Sequence, residues 1–359
     1  MHITFLVHDI HFGGGGERVT ANMANHYAEK GDQVDIVSIA TPNPQNVFTI
    51  DRRVSIQYLN INPNKGLNII RKIKSVFAVR HHFRKTDNLT FLLGIGTYPM
   101  LLASLLPGKD PIIKIGCQHG SYASVKYIWF ILRWILFRRF DAVVSLTNFD
   151  LPKLTKLNKN SFVIPNSITF LSDQPALLQN KTILSIGRID YAKGYDLLLE
   201  VFSHFCEANK DWKLRIIGDG PLRKSILDLI TNKKLSDRVS IIPSSSEIEQ
   251  EYLDASIYLM TSRTEGLPMV LLEAQSCGLP VLSFNCETGP SDIINDGTDG
   301  YLIDNFDIDK MTQKLSELCN DHDKRKIFGR NARINVRKFF PDQVYKKWDA
   351  LFEQLTINC

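Results

Sequence analysis

The chain contains 359 residues, of which 44% are hydrophobic and 23% are charged, and it carries a net charge of +5. This composition argues against a disordered or fibrous chain, and the length suggests about two globular domains. The six cysteines form no CxxC pair and have no metal-like spacing, which argues against a disulfide framework or a zinc site and favours reduced thiols in the cytoplasm.

The charge is unevenly distributed along the chain. Residues 1–165 contain 20 Lys and Arg against 10 Asp and Glu, whereas the remainder contains 23 against 28. The first half is therefore expected to meet an anionic partner. The N-terminal stretch MHITFLVHDI has neither a basic region nor a small-residue cleavage site, so we expect no signal peptide.

Strands and helices are predicted to alternate from the first residues onwards. A buried strand at 2–7 leads into a glycine loop, a helix that ends at Gly31 and a second buried strand at 32–40, which together form a parallel βαβ unit. Further strands of this half are predicted at 90–96, 112–120, 141–147 and 161–165.

The uncharged stretch 89–108 has the length of a membrane span. Gly94, Gly96 and Pro99 interrupt it, so a short strand, a turn and a short helix are the better interpretation. We therefore predict that this stretch is buried in the protein.

The alternation restarts in the second half, after a linker-like stretch at 165–179. Strands are predicted within 181–190, 212–220, 238–243, 256–262 and 280–285. We therefore predict two doubly wound, Rossmann-like α/β domains that face a cleft, 1–165 and 166–341. Periodicity alone does not assign the amphipathic helix at 342–355, and we expect the segment 342–359 to pack back on the first domain.

Two loops at predicted carboxyl ends of strands contain groups that suit a phosphate, because ligands of such sheets bind at these ends. GGGGE at 13–17 precedes a helix, so its backbone could approach a phosphate closely, although a flexible glycine turn explains this loop equally well. Arg188 and Lys193 in GRIDYAKG could hold a diphosphate, although two solvated cations are the simpler explanation when this loop is taken alone.

Glu265 and Glu273 lie eight positions apart in RTEGLPMVLLEAQSCGLP (263–280). Glu265 is predicted just before a helix with Pro268 in its first turn, and Glu273 inside that helix among apolar residues. A buried carboxylate needs hydrogen-bond donors, which ribose or hexose hydroxyls can supply; the alternative is a helix cap and a core salt bridge. Together with the two cations, the two carboxylates predict a site for a sugar nucleotide.

These motifs resemble those of the family 4 glycosyltransferases, which are retaining enzymes with the two-domain GT-B fold. The resemblance rests on FGGGGERV near the start, VIPNSI (163–168), ILSIGRIDYAKGYDLLLEVF (183–202), WKLRIIGDGPLR (212–223) and SRTEGLPMVLLEAQSCGLPVLS (262–283). The two glutamates match the E-x7-E motif of that family. Where many relatives have Gly-Gly-x-x-Glu, this chain has CETGPSDII (286–294), as in a subset of relatives that act on cell-envelope glycans.

The resemblance implies that Arg188 and Lys193 hold the diphosphate of the donor and that Gly15 and Gly16 approach it from the other domain. The two cations would stabilise the leaving group, which is work that a metal ion does in other enzymes. We therefore expect no metal and no cofactor. The metal-like motifs at 307–309 and 321–323 are better explained by helix capping and solvation.

The resemblance also implies which residues meet the rest of the donor. Glu265 would contact hydroxyls of the transferred sugar, with the backbone N–H groups of Gly266 and Leu267 beside the phosphate or the sugar, and Glu273 would bind the ribose. His119 in GCQHGSY would lie near the sugar. A retaining enzyme keeps the anomeric configuration of its donor, which implies an α-linked product from an α-linked donor. No side chain is assigned as a nucleophile.

Two basic, aromatic segments suit an anionic membrane surface. Residues 65–85 contain seven Lys and Arg and no acid, and residues 126–140 contain four cations among aromatic residues. A solvated face for the first segment and a core helix for the second are the alternatives. We expect a cytoplasmic protein, peripheral on the inner face of the cell membrane, with a lipid-linked oligosaccharide or lipopolysaccharide as acceptor.

The expected reaction is the transfer of galactose, N-acetylgalactosamine or glucose from a UDP-sugar in envelope polysaccharide, lipopolysaccharide or O-antigen synthesis. A catalytically silent relative that acts as a scaffold is the main alternative. An NAD-dependent dehydrogenase would need an acidic residue about twenty positions after the glycines, where this chain has Ala40, Thr41 and Pro42. No nucleic-acid recognition motif is present, so we expect no nucleic-acid partner.

Overall fold

The computed structural model describes residues 1–43, 48–61, 68–85, 88–107, 111–119, 134, 136–243 and 247–357. The chain divides into two compact units, one formed by Met1–Thr169 with Val344–Cys359 and the other by Phe170–Gln343. Each unit contains one parallel sheet covered by helices, which confirms the predicted pair of doubly wound α/β folds.

The described part of the first unit contains a seven-stranded sheet in the order β3-β2-β1-β4-β5-β6-β7. Its strands are β1 His2–Val7, β2 Gln33–Ser38, β3 Ser55–Tyr58, β4 Thr90–Ile95, β5 Ile112–Gln118, β6 Ala142–Ser145 and β7 Ser161–Val163. Every neighbouring pair is parallel. The strand order reverses between β1 and β4, and the carboxyl ends of these two strands are where such sheets bind ligands.

Helices of the first unit alternate with these strands. They span Gly15–Glu29, Asn68–His82, Thr97–Ser104 and Leu151–Thr155, and short 3₁₀ turns lie at Phe83–Lys85 and Phe137–Arg139. The described part of the uncharged stretch, 89–107, contains strand β4 and the helix Thr97–Ser104, as predicted. No helix among the described residues is long and apolar enough to cross a membrane.

The last helix, Pro341–Ile357, contributes to the core of the first unit. Val344, Trp348 and Phe352 recur at helical spacing and are at most 7% exposed. The Phe352 ring lies 4.6 Å from that of Phe91 on β4 and 5.7 Å from that of Tyr27. This helix therefore covers one face of the first sheet with its aromatic side chains.

The described part of the second unit contains a six-stranded sheet in the order β10-β9-β8-β11-β12-β13. Its strands are β8 Thr182–Ile186, β9 Lys213–Ile217, β10 Val239–Ile242, β11 Ile257–Met260, β12 Val281–Phe284 and β13 Gly300–Ile303, all parallel. The helices span Tyr195–Ala208, Arg223–Asn232, Ile248–Leu253, Met269–Ser276, Pro290–Ile293, Ile308–Asn320 and His322–Asn335, and 3₁₀ turns lie at Tyr191–Lys193 and Val336–Phe339. The order reverses between β8 and β11, which makes their carboxyl ends the expected binding edge.

The two metal-like motifs are helix caps. The Asp307 side chain accepts a hydrogen bond of 2.9 Å from the backbone N–H of Lys310 at the start of Ile308–Asn320. The Asp321 side chain accepts one of 2.8 Å from the backbone N–H of Lys324 at the start of His322–Asn335. Both carboxylates therefore satisfy free N–H groups of a first helical turn, as the sequence suggests.

Candidate active site

The loops that follow β8 and β11 are joined by hydrogen bonds, because these two strands are direct neighbours in the second sheet. The backbone N–H of Arg263 donates to the carbonyl oxygen of Ala192 over 2.7 Å, and the Thr261 hydroxyl donates to that of Gly194 over 2.9 Å. Gly194 has a φ of +64°, and a Cβ there would lie 2.2 Å from the Thr261 carbonyl oxygen. Only glycine permits this contact between the two loops.

Lys193 and Glu265 meet at this edge. The Lys193 ammonium lies 2.7 Å from Glu265 Oε1 and 2.9 Å from Oε2, so both carboxylate oxygens accept from it. The Lys193 side chain is 26% exposed and that of Glu265 is 8% exposed. The structure thus brings together one predicted phosphate ligand and the residue predicted to contact the sugar.

Arg188 belongs to the same loop but is not part of that ion pair. Its side chain is 58% exposed, and its Nε lies 3.8 Å from Asp190 Oδ2. Asp190 also caps the following 3₁₀ turn, because its Oδ1 accepts a hydrogen bond of 3.2 Å from the backbone N–H of Lys193. Asp190 therefore connects the two cations of the loop, although the sequence pattern gave it no role.

Segment 286–294, where the chain departs from the family motif, holds the Glu265 loop in place. The Thr288 hydroxyl donates a short hydrogen bond to the carbonyl oxygen of Glu265. Gly289 has a φ of +97°, and a Cβ on it would come within 2.6 Å of the Gly266 carbonyl oxygen and 2.5 Å of Pro268. The TGP sequence thus replaces the usual motif with a hydroxyl anchor and a close backbone contact.

Arg263 braces the same loop from the other side. Its guanidinium donates to Asp196 Oδ1 and Oδ2 over 2.8 and 2.6 Å and to the Tyr191 carbonyl oxygen over 3.0 Å. The paired guanidinium lowers the pKa of the Asp196 carboxyl below its usual value. Such a two-pronged contact fixes direction as well as distance, so the backbone of the loop before Glu265 is held rigidly.

Glu273 lies on the helix Met269–Ser276, which begins one residue after Pro268 rather than with it. Only 2% of Glu273 is exposed, as its apolar neighbours predict. The Tyr252 hydroxyl donates to Glu273 Oε2 over 2.8 Å. The expected hydrogen-bond donor is therefore present within the protein itself, and it comes from the helix Ile248–Leu253.

Gly266 and Leu267 connect the two glutamates. Leu267 is 6% exposed, and its side chain belongs to the buried apolar residues. The role of their backbone N–H groups beside the phosphate or the sugar stays a prediction.

Gly15 and Gly16 begin the helix Gly15–Glu29 after β1 in the first unit. A Cβ on Gly15 would meet nothing within 4 Å, and one on Gly16 would meet only Ile95 Cγ2 at 3.8 Å. Neither residue has a positive φ. Packing among the described residues therefore does not require glycine at either position.

His119 follows β5 in the first unit. It lines a small cavity with Cys117, Ile95 and Thr20. Burial lowers the pKa of His119 to about 4, so the imidazole is uncharged at neutral pH. The neutral imidazole has one nitrogen that donates a hydrogen bond and one that accepts, but it has no positive charge with which to bind a phosphate.

Four of these supporting residues were not identified from the sequence: Asp190, Tyr252, Arg263 and Thr288. Arg263 and Thr288 lie inside quoted motifs, and their polar side chains beside a predicted loop were the available signal. Tyr252 lies 21 positions before Glu273 on another helix, and no pattern in the sequence pairs them.

Two family models match consecutive parts of the chain. "Glycosyltransferase Family 4" matches residues 13–169, and "Glycosyl transferases group 1" matches residues 168–335. The chain is 28% identical to the amylovoran biosynthesis glycosyltransferase AmsD of Erwinia amylovora over 97% of this chain and 99% of that protein. It is 24% identical, over 99% of both chains, to a Campylobacter jejuni enzyme named GalNAc-alpha-(1->4)-GalNAc-alpha-(1->3)-diNAcBac-PP-undecaprenol alpha-1,4-N-acetyl-D-galactosaminyltransferase.

The fold matches known structures as well. The crystal structure of an S. aureus TarM mutant in complex with Fondaparinux, alpha-GlcNAc-glycerol and UDP superposes with a TM-score of 0.83 at 18% identity, over 98% of this chain and 100% of that chain. The sucrose-phosphate synthase of Thermosynechococcus elongatus superposes with a TM-score of 0.85 at 17% identity, over 100% of both chains. Since the two family models match in succession over residues 13–335, the chain is a glycosyltransferase with a family 4 domain followed by a group 1 domain.

Proposed function

We propose that this glycosyltransferase moves a hexose from a UDP-sugar to a lipid-linked glycan or lipopolysaccharide acceptor during the synthesis of envelope polysaccharide. The observation that carries the proposal is the contact of Lys193 with Glu265 at the carboxyl ends of β8 and β11, with the buried Glu273 on the next helix. A sugar nucleotide needs a cation that binds its diphosphate and carboxylates that bind its hydroxyl groups, and this edge of the sheet has both.

The proposed reaction breaks the bond between the anomeric carbon and the diphosphate and forms one between that carbon and an acceptor oxygen. The acceptor hydroxyl loses its proton to the departing UDP, and the new bond has the α configuration of the old one. Lys193 and Arg188 stabilise the charge that develops on the diphosphate, so no metal ion takes part. Glu265 positions the sugar, and His119, uncharged at neutral pH, offers it one hydrogen bond.

The choice of donor and acceptor is supported by the relatives. The S. aureus TarM structure contains UDP, and the C. jejuni relative is named for an N-acetylgalactosaminyl transfer to a PP-undecaprenol glycan. AmsD is named for the biosynthesis of amylovoran. Galactose, N-acetylgalactosamine and glucose are therefore the first sugars to test.

A lipid-linked acceptor requires the enzyme to approach a membrane, and the helix Asn68–His82 has a surface for it. Ile73 and Phe77 are 52% and 67% exposed, whereas Val79 on the opposite face is 1% exposed and belongs to the core. Lys72 and Lys74 flank the apolar side chains and are exposed. Exposed apolar residues flanked by lysines are typical of helices that lie on anionic membranes.

The second candidate segment, 126–140, lies outside the described residues except for Trp134 and residues 136–140. Trp134 is 52% exposed, while Phe137 and Phe140 are both 4% exposed. The described end of this segment thus contains core residues, and the proposed membrane contact relies on Asn68–His82.

The test is an assay of sugar transfer with purified protein. UDP-galactose, UDP-N-acetylgalactosamine and UDP-glucose are offered in EDTA with undecaprenyl-diphosphate oligosaccharides and with lipopolysaccharide cores as acceptors. We expect one donor to yield an α-linked product, and Lys193→Met to lower kcat/KM by at least about 100-fold, because it removes a charge from the leaving-group site.

Three outcomes contradict the proposal. A strict requirement for a divalent cation overturns the metal-independent mechanism. A β-linked product overturns retention. Binding of UDP-sugars without transfer to any acceptor favours a catalytically silent relative.

A further inference from the structure

Tyr252 is positioned to orient the carboxylate of Glu273. Its hydroxyl lies 2.8 Å from Glu273 Oε2 and 3.4 Å from the carbonyl oxygen of Val270. A phenol has one proton to donate, and the shorter distance with the charged acceptor takes it. Tyr252 is fully buried, so water does not compete for this hydrogen bond.

The tyrosine ring itself is fixed by packing. It lies 6.0 Å from the ring of Phe170 and 5.9 Å from that of Tyr258, which is also fully buried. The Tyr258 hydroxyl in turn donates to the carbonyl oxygen of Ile186 over 3.1 Å and accepts from its N–H over 3.2 Å. Ile186 is the last residue of β8, directly before the loop of Arg188 and Lys193. A series of packed rings thus connects Glu273 to the strand end that carries the two cations.

The group that donates the hydrogen bond to Glu273 is uncharged. This property suits a carboxylate that is to bind hydroxyl groups. Burial, followed by the nearby Glu273 charge, raises the pKa of the Tyr252 hydroxyl well above its usual value, so it stays protonated. A lysine or arginine in this place would neutralise the carboxylate. A phenol directs one oxygen without adding a positive charge, and each carboxylate oxygen can accept more than one hydrogen bond.

We propose that Tyr252 is a positioning residue that sets the Glu273 carboxylate for the ribose hydroxyls of the donor nucleotide and thereby makes the site selective for ribonucleotides. The inference rests on the proposed function, in which Glu273 binds the ribose. Pre-orientation of a binding group by a fixed neighbour lowers the free-energy cost of ordering that group when the ligand arrives.

The experiment compares nucleotides that differ only in the ribose. Calorimetry measures the Kd values of UDP, 2′-deoxy-UDP and 2′,3′-dideoxy-UDP for the wild type and for Tyr252→Phe. We expect the wild type to prefer UDP, and the variant to bind UDP roughly tenfold more weakly, as for the loss of a hydrogen bond to a charged group. The Kd of 2′,3′-dideoxy-UDP should be the same for both proteins, because that ligand has no hydroxyl group for Glu273.

Tyr301→Phe is the matched control. The Tyr301 hydroxyl also donates to a glutamate, Glu317 Oε1 at 2.5 Å, and its ring is 7% exposed in the same unit. Glu317 lies on the helix Ile308–Asn320, on which no site residue has been placed. This variant loses the same group and should keep all three nucleotide affinities.

The outcomes separate the inference from the function on which it rests. If the wild type binds none of the nucleotides, the proposed function fails. Suppose that the wild type prefers UDP. The positioning role is then wrong, while the function stands, if Tyr252→Phe keeps that preference or if it weakens the binding of UDP and of 2′,3′-dideoxy-UDP equally. Should Tyr252→Phe fold poorly, Tyr252→Leu is measured instead at a temperature at which circular dichroism shows it to be folded: loss of the preference for UDP over 2′,3′-dideoxy-UDP supports the role of Tyr252, and its retention overturns that role.

Discussion

Lys193 and Glu265 form an ion pair in which one ammonium group faces both oxygens of a carboxylate that is 8% exposed. The contact joins the loops after β8 and β11 and also places a cation where the diphosphate of a donor is proposed to bind. A pair that serves the site in this way should be coupled energetically, because removal of either partner leaves the other without its counter-charge.

A double-mutant cycle with Lys193→Met and Glu265→Gln tests that coupling. We expect each single variant to lower the free energy of unfolding by about 1–3 kcal/mol, and the double variant to lose about 1–2 kcal/mol less than the sum. The exposed pair Lys181–Asp211, with side chains 56% and 72% exposed, is the control and should show a coupling below about 0.5 kcal/mol. Additive losses at Lys193 and Glu265, measured by denaturant unfolding, would contradict the account.

Gly15 offers a way to distinguish binding from folding, because the helix around it has room for a side chain. Gly15→Ala should leave the protein as stable as the wild type or stabilise it by up to about 1 kcal/mol, since alanine favours a helix. If the backbone approaches the diphosphate here, the KM for the donor should rise by about tenfold. Thermal unfolding and steady-state kinetics on Gly15→Ala and Gly16→Ala measure both quantities. Unchanged kinetics in both variants would make the loop a simple glycine turn.

The sequence was informative about residues whose chemistry conflicts with their surroundings. The position of Glu273 among Val270, Leu271 and Leu272 predicted a buried carboxylate that needs a hydrogen-bond donor, and the structure contains such a donor. The sequence could not identify that hydrogen-bond donor, because Tyr252 and Glu273 meet only when their two helices pack together. Thr288 and Gly289 were visible as a departure from the family motif, but their contacts with Glu265 and Gly266 depend on the three-dimensional path of the loop.

At the scale of elements, hydrophobic runs predicted the buried central strands well. β1, β8 and β11 are short apolar runs followed by loops with glycine or polar residues. Two strands were missed: β3 Ser55–Tyr58 and β13 Gly300–Ile303, which are both at an edge of their sheet. β3 is only partly buried, so its sequence, SIQY, lacks the continuous apolar run of a central strand.

The helix Asn68–His82 carries a prediction of its own. Wild-type protein should bind liposomes that contain phosphatidylglycerol at low salt and release them at high salt, because exposed charges are screened. Lys72→Glu with Lys74→Glu should weaken the binding by at least about tenfold, and Phe77→Ser should weaken it at every salt concentration.

Lys346→Glu with Lys347→Glu is the control for that experiment. These two lysines are exposed on the C-terminal helix of the same unit, so the pair causes the same change in net charge at a different place. Liposome binding is measured by co-sedimentation. If both double variants lose the same amount of binding, net charge alone explains the attraction, and Asn68–His82 has no specific role in it.

For the whole molecule, the restart of the strand–helix alternation at 181 was enough to predict two α/β units, and the different tasks that the uneven charge suggests for them stay a prediction. The assignment of the C-terminal helix needed the structure, since its apolar face could cover either sheet. The aromatic contacts of Phe352 with Phe91 and Tyr27 place it in the first unit. The sugar and the acceptor follow from neither the sequence nor the fold, because hexoses differ in the orientation of single hydroxyl groups.

We propose that the second unit binds a UDP-sugar through Glu273 without a metal ion. Thermal unfolding in EDTA with UDP, GDP, ADP and NAD, on wild type and Glu273→Ala, tests it most directly. A ligand at 100 times its Kd stabilises a protein by about 2.7 kcal/mol, which raises the Tm by several degrees for a unit of this size. We expect UDP to raise the Tm of the wild type and to raise that of Glu273→Ala by less. A rise with NAD alone, or a response to UDP that Glu273→Ala leaves unchanged, would contradict it.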